Sequence, residues 1–224
     1  MMLRLVPRVF LCALLTSFAS TALAQSLAPL ETDVQEWNDI QLAVPVTKDI
    51  DFNVLGTFRV GRDLSRVVDE RIGVGFTLRA GKYLSFAPSY LHIGTQPFEG
   101  RKVWESRISF PATVRFQANK FRFSDRNLFE RRYRHPGIPS NRYRNRFQVE
   151  HPVGRDAMKL SVFAADEVFY DWLVDRWVRN RFSLGVAKVL NSNVTLDIYY
   201  LRQNDGLALP GDLHVIGTTW RIRL

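Results

Sequence analysis

A two-residue alternation constrains this chain more than any other feature. It recurs about eleven times after residue 25, in units of roughly 10–14 residues bounded by turn residues. The sharpest unit, 141–151, sets Tyr143, Phe147 and Val149 against Arg142, Arg144, Arg146, Gln148 and Glu150. The last, 212–224, sets Ile216, Thr218, Trp220, Ile222 and Leu224 against Gly217, Thr219, Arg221 and Arg223. Successive side chains of a strand point to opposite faces, so each unit reads as a strand with one apolar and one polar face. No run after residue 25 has the length and apolarity of a spanning helix, and no long segment keeps a 3.6-residue period.

Two architectures share this alternation. A soluble barrel or sandwich turns its polar face to water, whereas a membrane barrel turns its apolar face to lipid. The polar face here is built from arginines and acids in register. Arg59, Arg71, Arg79, Arg107, Arg122, Arg126 and the 142/144/146 trio stand with Asp39, Asp69, Glu105, Glu130, Glu150 and Glu167. The apolar face carries Phe58, Phe116, Phe121, Tyr143, Tyr200 and Trp220 near strand ends, as an interfacial girdle would. Connectors at 47–50, 80–82, 117–119, 151–156 and 190–193 are short. Those at 61–66, 94–101, 132–140, 170–175 and 204–212 are longer, as outer loops are relative to periplasmic turns.

The expected fold is therefore all-β: an antiparallel up-and-down transmembrane β-barrel of about twelve strands, with ten as the rival and a polar, arginine-rich lumen. Eleven units leave an odd count, so the twelfth crossing falls to 25–35, either as a weak strand or as a segment threading the lumen. The barrel proper is 36–224. Pro88 is expected to mark a bulge in the fourth unit.

Arg4 and Arg8, the apolar run 9–20 and Ala22-Leu23-Ala24 have the form of a signal peptide over 1–24. The sole cysteine, Cys12, lies inside it, so no thiol chemistry is expected of the mature chain. The net charge is +9, with two of the positive charges in the leader. A basic soluble domain would suggest nucleic acid, and export argues against that. The expected location is the outer membrane of a Gram-negative bacterium. The expected partners are outer-membrane lipid, the barrel assembly machinery and a small anionic solute.

Lumen-lining candidates are Arg107, Arg142, Arg144, Arg146, Arg179, Arg181, Glu105, Glu150 and Glu167. They admit two readings: an Arg–carboxylate ladder filling a narrow barrel, or an arginine wall that selects anions. The function expected is a structural barrel or a narrow pore for small anionic solutes. The alternatives are an outer-membrane lipid-modifying enzyme and a soluble periplasmic ligand-binding barrel. Against catalysis, none of His92, His135, His151 and His214 stands two residues before a serine, and no G-x-S-x-G motif or metal-spaced cluster is present. Neither a catalytic residue, a metal nor a cofactor is expected. Trp220, Ile222 and Leu224 form the row expected to be read during barrel assembly.

The segments Trp37–Asp39, Arg142–Phe147, Asp166–Asp171, Asn180–Val186, Tyr199–Asp205 and His214–Leu224 also carry a likeness. Through them the chain resembles the bacterial proteins catalogued as domain of unknown function 2490. The resemblance covers nearly the whole mature chain, implies an outer-membrane-type barrel, and implies no activity.

Overall fold

A computed structural model describes residues 32–98, 100–155 and 158–224. The expected leader and residues 25–31 lie outside the described residues. Twelve strands follow one another: β1 (Thr32–Pro45), β2 (Ile50–Gly61), β3 (Arg66–Ala80), β4 (Leu84–Phe86), β5 (Ser89–Phe98), β6 (Arg101–Ala118), β7 (Phe121–His135), β8 (Ser140–Val153), β9 (Leu160–Asp171), β10 (Arg176–Val189), β11 (Val194–Asp205) and β12 (Asp212–Arg223). They form one closed all-β barrel, mostly antiparallel, with β1 paired to β12.

The twelve segments occupy eleven positions in the ring. Against β3, Ser85 pairs with Arg79 and Ser89 with Gly75; against β6, the same two serines pair with Thr113 and Ser109. The register is thus unbroken between β4 and β5, and they are one interrupted strand. Ala87 and Pro88 lie in the gap, and Pro111 on β6 lies across from Ala87. Neither proline has an N–H to give, so the ladder keeps only the bonds Phe76 N to Pro88 O and Ala87 N to Pro111 O, both 3.0 Å. The bulge expected at Pro88 is therefore an interruption, with no residue inserted.

The odd number of positions is accommodated by the closure. β1 and β12 run parallel, in register from Thr32↔Asp212 to Ala43↔Arg223 without a slip. No twelfth crossing is needed, and Thr32–Gln35 are the start of β1 rather than part of a separate element. Inside this seam Trp37, Leu201, Leu213 and Val215 are buried together, with Tyr199 packed against them. Gly217 sits opposite both Trp37 and Tyr199 in the ladder, and a Cβ on it would run into the Tyr199 ring. Outside, Thr218 Oγ1 donates to Asn38 Oδ1 at 2.6 Å.

The barrel is inverted relative to a soluble one. Glu105, Arg107, Glu130, Arg142 and Glu167 are buried inside, while Ile72 (64% exposed), Ile216 (55%) and Phe110 (54%) face outwards. One outward patch is polar: Asn145 Nδ2 donates to Asp125 Oδ1 at 2.7 Å, Tyr143 Oη to Asn127 Oδ1 at 2.5 Å, and Asn180 Nδ2 to Asp166 Oδ1 at 2.8 Å. The expected alternation of loop lengths disappears. Strands continue into stretches read as loops, because paired backbone tolerates their Gly and Pro at the ends. The connections 62–65, 136–139 and 172–175 are no longer than 46–49 or 154–159.

Filling the Gly217 position overpacks the seam, so Gly217→Val should cost about 1–3 kcal/mol. Nothing lies within 4 Å of a Cβ at Gly206, and Gly206→Ala should stay within about 0.5 kcal/mol. Urea unfolding midpoints of the two refolded variants check both.

Candidate functional site

The alternation that builds each strand places one charged row of β6, β7, β8 and β9 side by side inside the barrel. Ser109 pairs with Glu130, Glu130 with Arg142, Arg146 with Glu167. Three glutamates then organise six arginines. Glu105 accepts from Arg107 Nε at 2.6 Å and from Arg132 Nε and Nη2 at 3.0 and 2.7 Å, with Arg134 Nε 3.9 Å away. Glu130, 1% exposed, accepts from Arg142 Nε at 2.6 Å, Arg144 Nη1 at 3.0 Å and Arg107 Nη1 at 3.4 Å. Glu167 accepts from Arg144 Nη2 and Arg126 Nη2, both at 2.7 Å. Arg107 bridges Glu105 to Glu130, and Arg144 bridges Glu130 to Glu167. The result is one continuous belt of charge-assisted bonds.

Outside the belt, smaller pairs hold the wall. Arg71 binds Asp69 through two bonds of 2.6 and 2.8 Å. Arg179 pairs with Asp205, and Arg223 grips Asp51 at 2.8 and 3.0 Å beside Arg79. Phe169, 1% exposed, lies inside with the guanidinium carbons of Arg142, Arg144, Arg179 and Arg181 at 5.3, 4.6, 5.3 and 4.9 Å from its ring centre.

Two large cavities approach the belt from opposite ends. One, of about 630 Å³, reaches the 206–211 connection; the other, of about 860 Å³, reaches 81–83 and 191–193. Arg71, Arg107 and Arg144 line both. The first has ten arginines against five carboxylates on its wall. The second has eight arginines and Lys82 against Asp51 and Glu130. A third cavity, of about 480 Å³, lies at that same end and includes Arg122, Arg146 and Glu150.

Of the residues singled out from sequence, Glu105, Arg107, Arg142, Arg144 and Glu167 meet in the belt. Arg146 instead donates to Gln148 at 3.0 Å, Arg181 to Gln203 at 2.8 Å, and Glu150 pairs with Arg122 at the far end. Trp220, Ile222 and Leu224 form one outward row on β12 and just beyond it. The lumen-lining candidates do not include the hub, Glu130, or Arg126, although both stand on the polar face; Arg132, Trp37 and Phe169 are also missing from them. Parity would have placed Phe169 inside, two residues beyond Glu167. All four histidines face outwards: His214 bonds Tyr200 and Arg202, and His92 stacks on Trp104.

The family model described as "Protein of unknown function (DUF2490)" matches residues 34–208. The chain belongs to this family. No curated protein matches the sequence. Among solved structures, an anion-selective porin from Comamonas acidovorans is similar, with a TM-score of 0.41 and 14% identity over 80% of this chain and 53% of that one. This chain thus spans about half the length of that porin. The NanC porin is similar with a TM-score of 0.44 and 10% identity, over 85% of this chain and 96% of the other.

Glu130 offsets three guanidiniums at once. Glu130→Ala strands Arg142 in a buried setting, takes one of two carboxylates from Arg107 and from Arg144, and should destabilise the barrel by about 3–5 kcal/mol. Glu150→Gln removes a pair whose Arg122 is half exposed and should cost less than about 1 kcal/mol. Denaturant titration of both variants measures the contrast.

Proposed function

We propose that this protein is an outer-membrane barrel whose narrow lumen passes small anions. The observation that carries the reading is the shared wall: Arg71, Arg107 and Arg144 border both large cavities, so any path from end to end runs past them. Fixed guanidiniums in a narrow, low-dielectric passage attract anions and repel cations. The glutamates of the belt lower that field without cancelling it, because arginines outnumber carboxylates on both cavity walls. The membrane reading is supported by the inversion of the barrel. An exposed band containing Ile72, Phe76, Phe110 and Leu184 suits hydrocarbon and is costly in water. The outward Asp125 and Asp166 are hydrogen-bonded to neighbouring amides, which reduces the cost of that polar patch.

Refolded protein in a planar bilayer should give a steady conductance with a reversal potential on the anion-selective side. Arg107→Ala combined with Arg144→Ala leaves each belt glutamate at least one arginine: Glu105 keeps Arg132 and Arg134, Glu130 keeps Arg142 and Glu167 keeps Arg126. This variant should conduct more and select less. A folded but electrically silent wild type would leave a structural barrel. Protein released from the membrane fraction by carbonate would favour the soluble periplasmic reading.

A further inference from the structure

Among the described residues several interior arginines form no ion pair (Arg115 and Arg146 settle on Ser85 and Gln148), and two of them, Arg59 and Arg181, stand at the same indole. Arg59 is directly opposite Asp69 in the β2–β3 ladder, but Asp69 is held bidentately by Arg71. Arg181 is directly opposite Glu167 in the β9–β10 ladder, but Glu167 is taken by Arg126 and Arg144. Each guanidinium turns to Trp37 instead, with its central carbon 3.6 Å (Arg59) and 4.8 Å (Arg181) from the ring centre. Among the described residues neither has a carboxylate within 4 Å. Arg181 keeps one bond, to Gln203, a side chain only 2% exposed. Arg59 is 9% exposed, its Nε has no partner, and it donates no hydrogen bond to any described residue.

Stacking on an indole offsets part of the cost of burying a guanidinium but fills none of its five N–H donors. A buried cation with open donors is expensive unless an anion supplies the acceptors. Arg59, Arg181 and Trp37 all border the 630 Å³ cavity, and so do the apolar Ile93, Phe169 and Leu213. That cavity is large enough for a small organic molecule, whose apolar body would have these three side chains to lie against.

We propose that Arg59 and Arg181, held at Trp37, form a binding site for a small organic carboxylate. A carboxylate presents two coplanar acceptor oxygens, which match the guanidinium fork. The site rests on the water-accessible polar lumen of the pore reading, but not on conduction. It would make the lumen a selective stop on the path rather than a passive anion field.

Calorimetric titration of the refolded barrel in detergent, with benzoate, phosphate and chloride as probes, tests this. Benzoate should bind saturably and more tightly than phosphate or chloride. Arg59→Gln and Arg181→Gln should each weaken benzoate about tenfold, the scale of a lost charge-assisted bond. Arg59→Lys should weaken it too, because the ammonium keeps the charge and loses the fork. Heat-modifiable gel mobility confirms that each variant is folded. Unaltered benzoate affinity in both Gln variants overturns the site, as does a folded wild type that binds no benzoate, or phosphate binding as tightly. Binding without conductance would refute the pore and leave this site standing; conductance without saturable binding would do the reverse.

Discussion

Charge compensation inside the barrel is the condition on which the rest of the structure depends. With the large apolar side chains turned mostly outwards, the described residues hold one small apolar cluster, around Trp37, Leu213 and Val215, and a few scattered buried apolar side chains such as Ile93 and Phe169. What otherwise fills the ring are ions, and taking ions out of water costs several kcal/mol each unless they meet partners with good geometry. There are fewer carboxylates than guanidiniums, so the acids are shared: Glu130 among three arginines, Glu105 and Glu167 among several. Sharing links four neighbouring strands into one unit, and the same sharing leaves Arg59 and Arg181 unmatched. The structural role of the belt and the positive lumen are two consequences of one imbalance.

Much of this was legible in the sequence. Alternation put Arg142, Arg144, Glu105, Arg107 and Glu167 on the polar face of their strands, because parity fixes the face of a strand residue, and the arginines and acids in register with an aromatic girdle opposite turned that face inwards. Parity does not fix partners. Arg146 faces Glu167 in the ladder, yet Arg126 and Arg144 reach it, and Arg146 settles on Gln148. Choice among neighbours depends on side-chain reach and competition, which no pattern along one strand records. Glu130 escaped notice as a hub because β7 breaks the pattern around it: Asp125 and Asn127 point out and Leu128 points in.

Closure was illegible for a different reason. The pairing of β1 with β12 joins residues some 180 positions apart, and each strand taken singly is compatible with an antiparallel neighbour. Only the odd count of units signalled a problem, and the parallel seam is its solution. The interruption at Pro88 had a local signal, a missing N–H, but its outcome depended on Pro111 standing across the ladder. Loop lengths misled because Gly- and Pro-rich stretches at strand ends still pair.

Under the proposed function the arginine face of each strand lies inside and the aromatic face meets lipid. Nitroxide labels placed singly at 142–149 on β8 of the bilayer-reconstituted protein test it directly; the only native cysteine is Cys12, within the expected leader. Collision with oxygen should peak at 143, 147 and 149 and fall at 142, 144, 146 and 148. High oxygen accessibility at the arginine positions, or no two-residue period at all, would contradict the account.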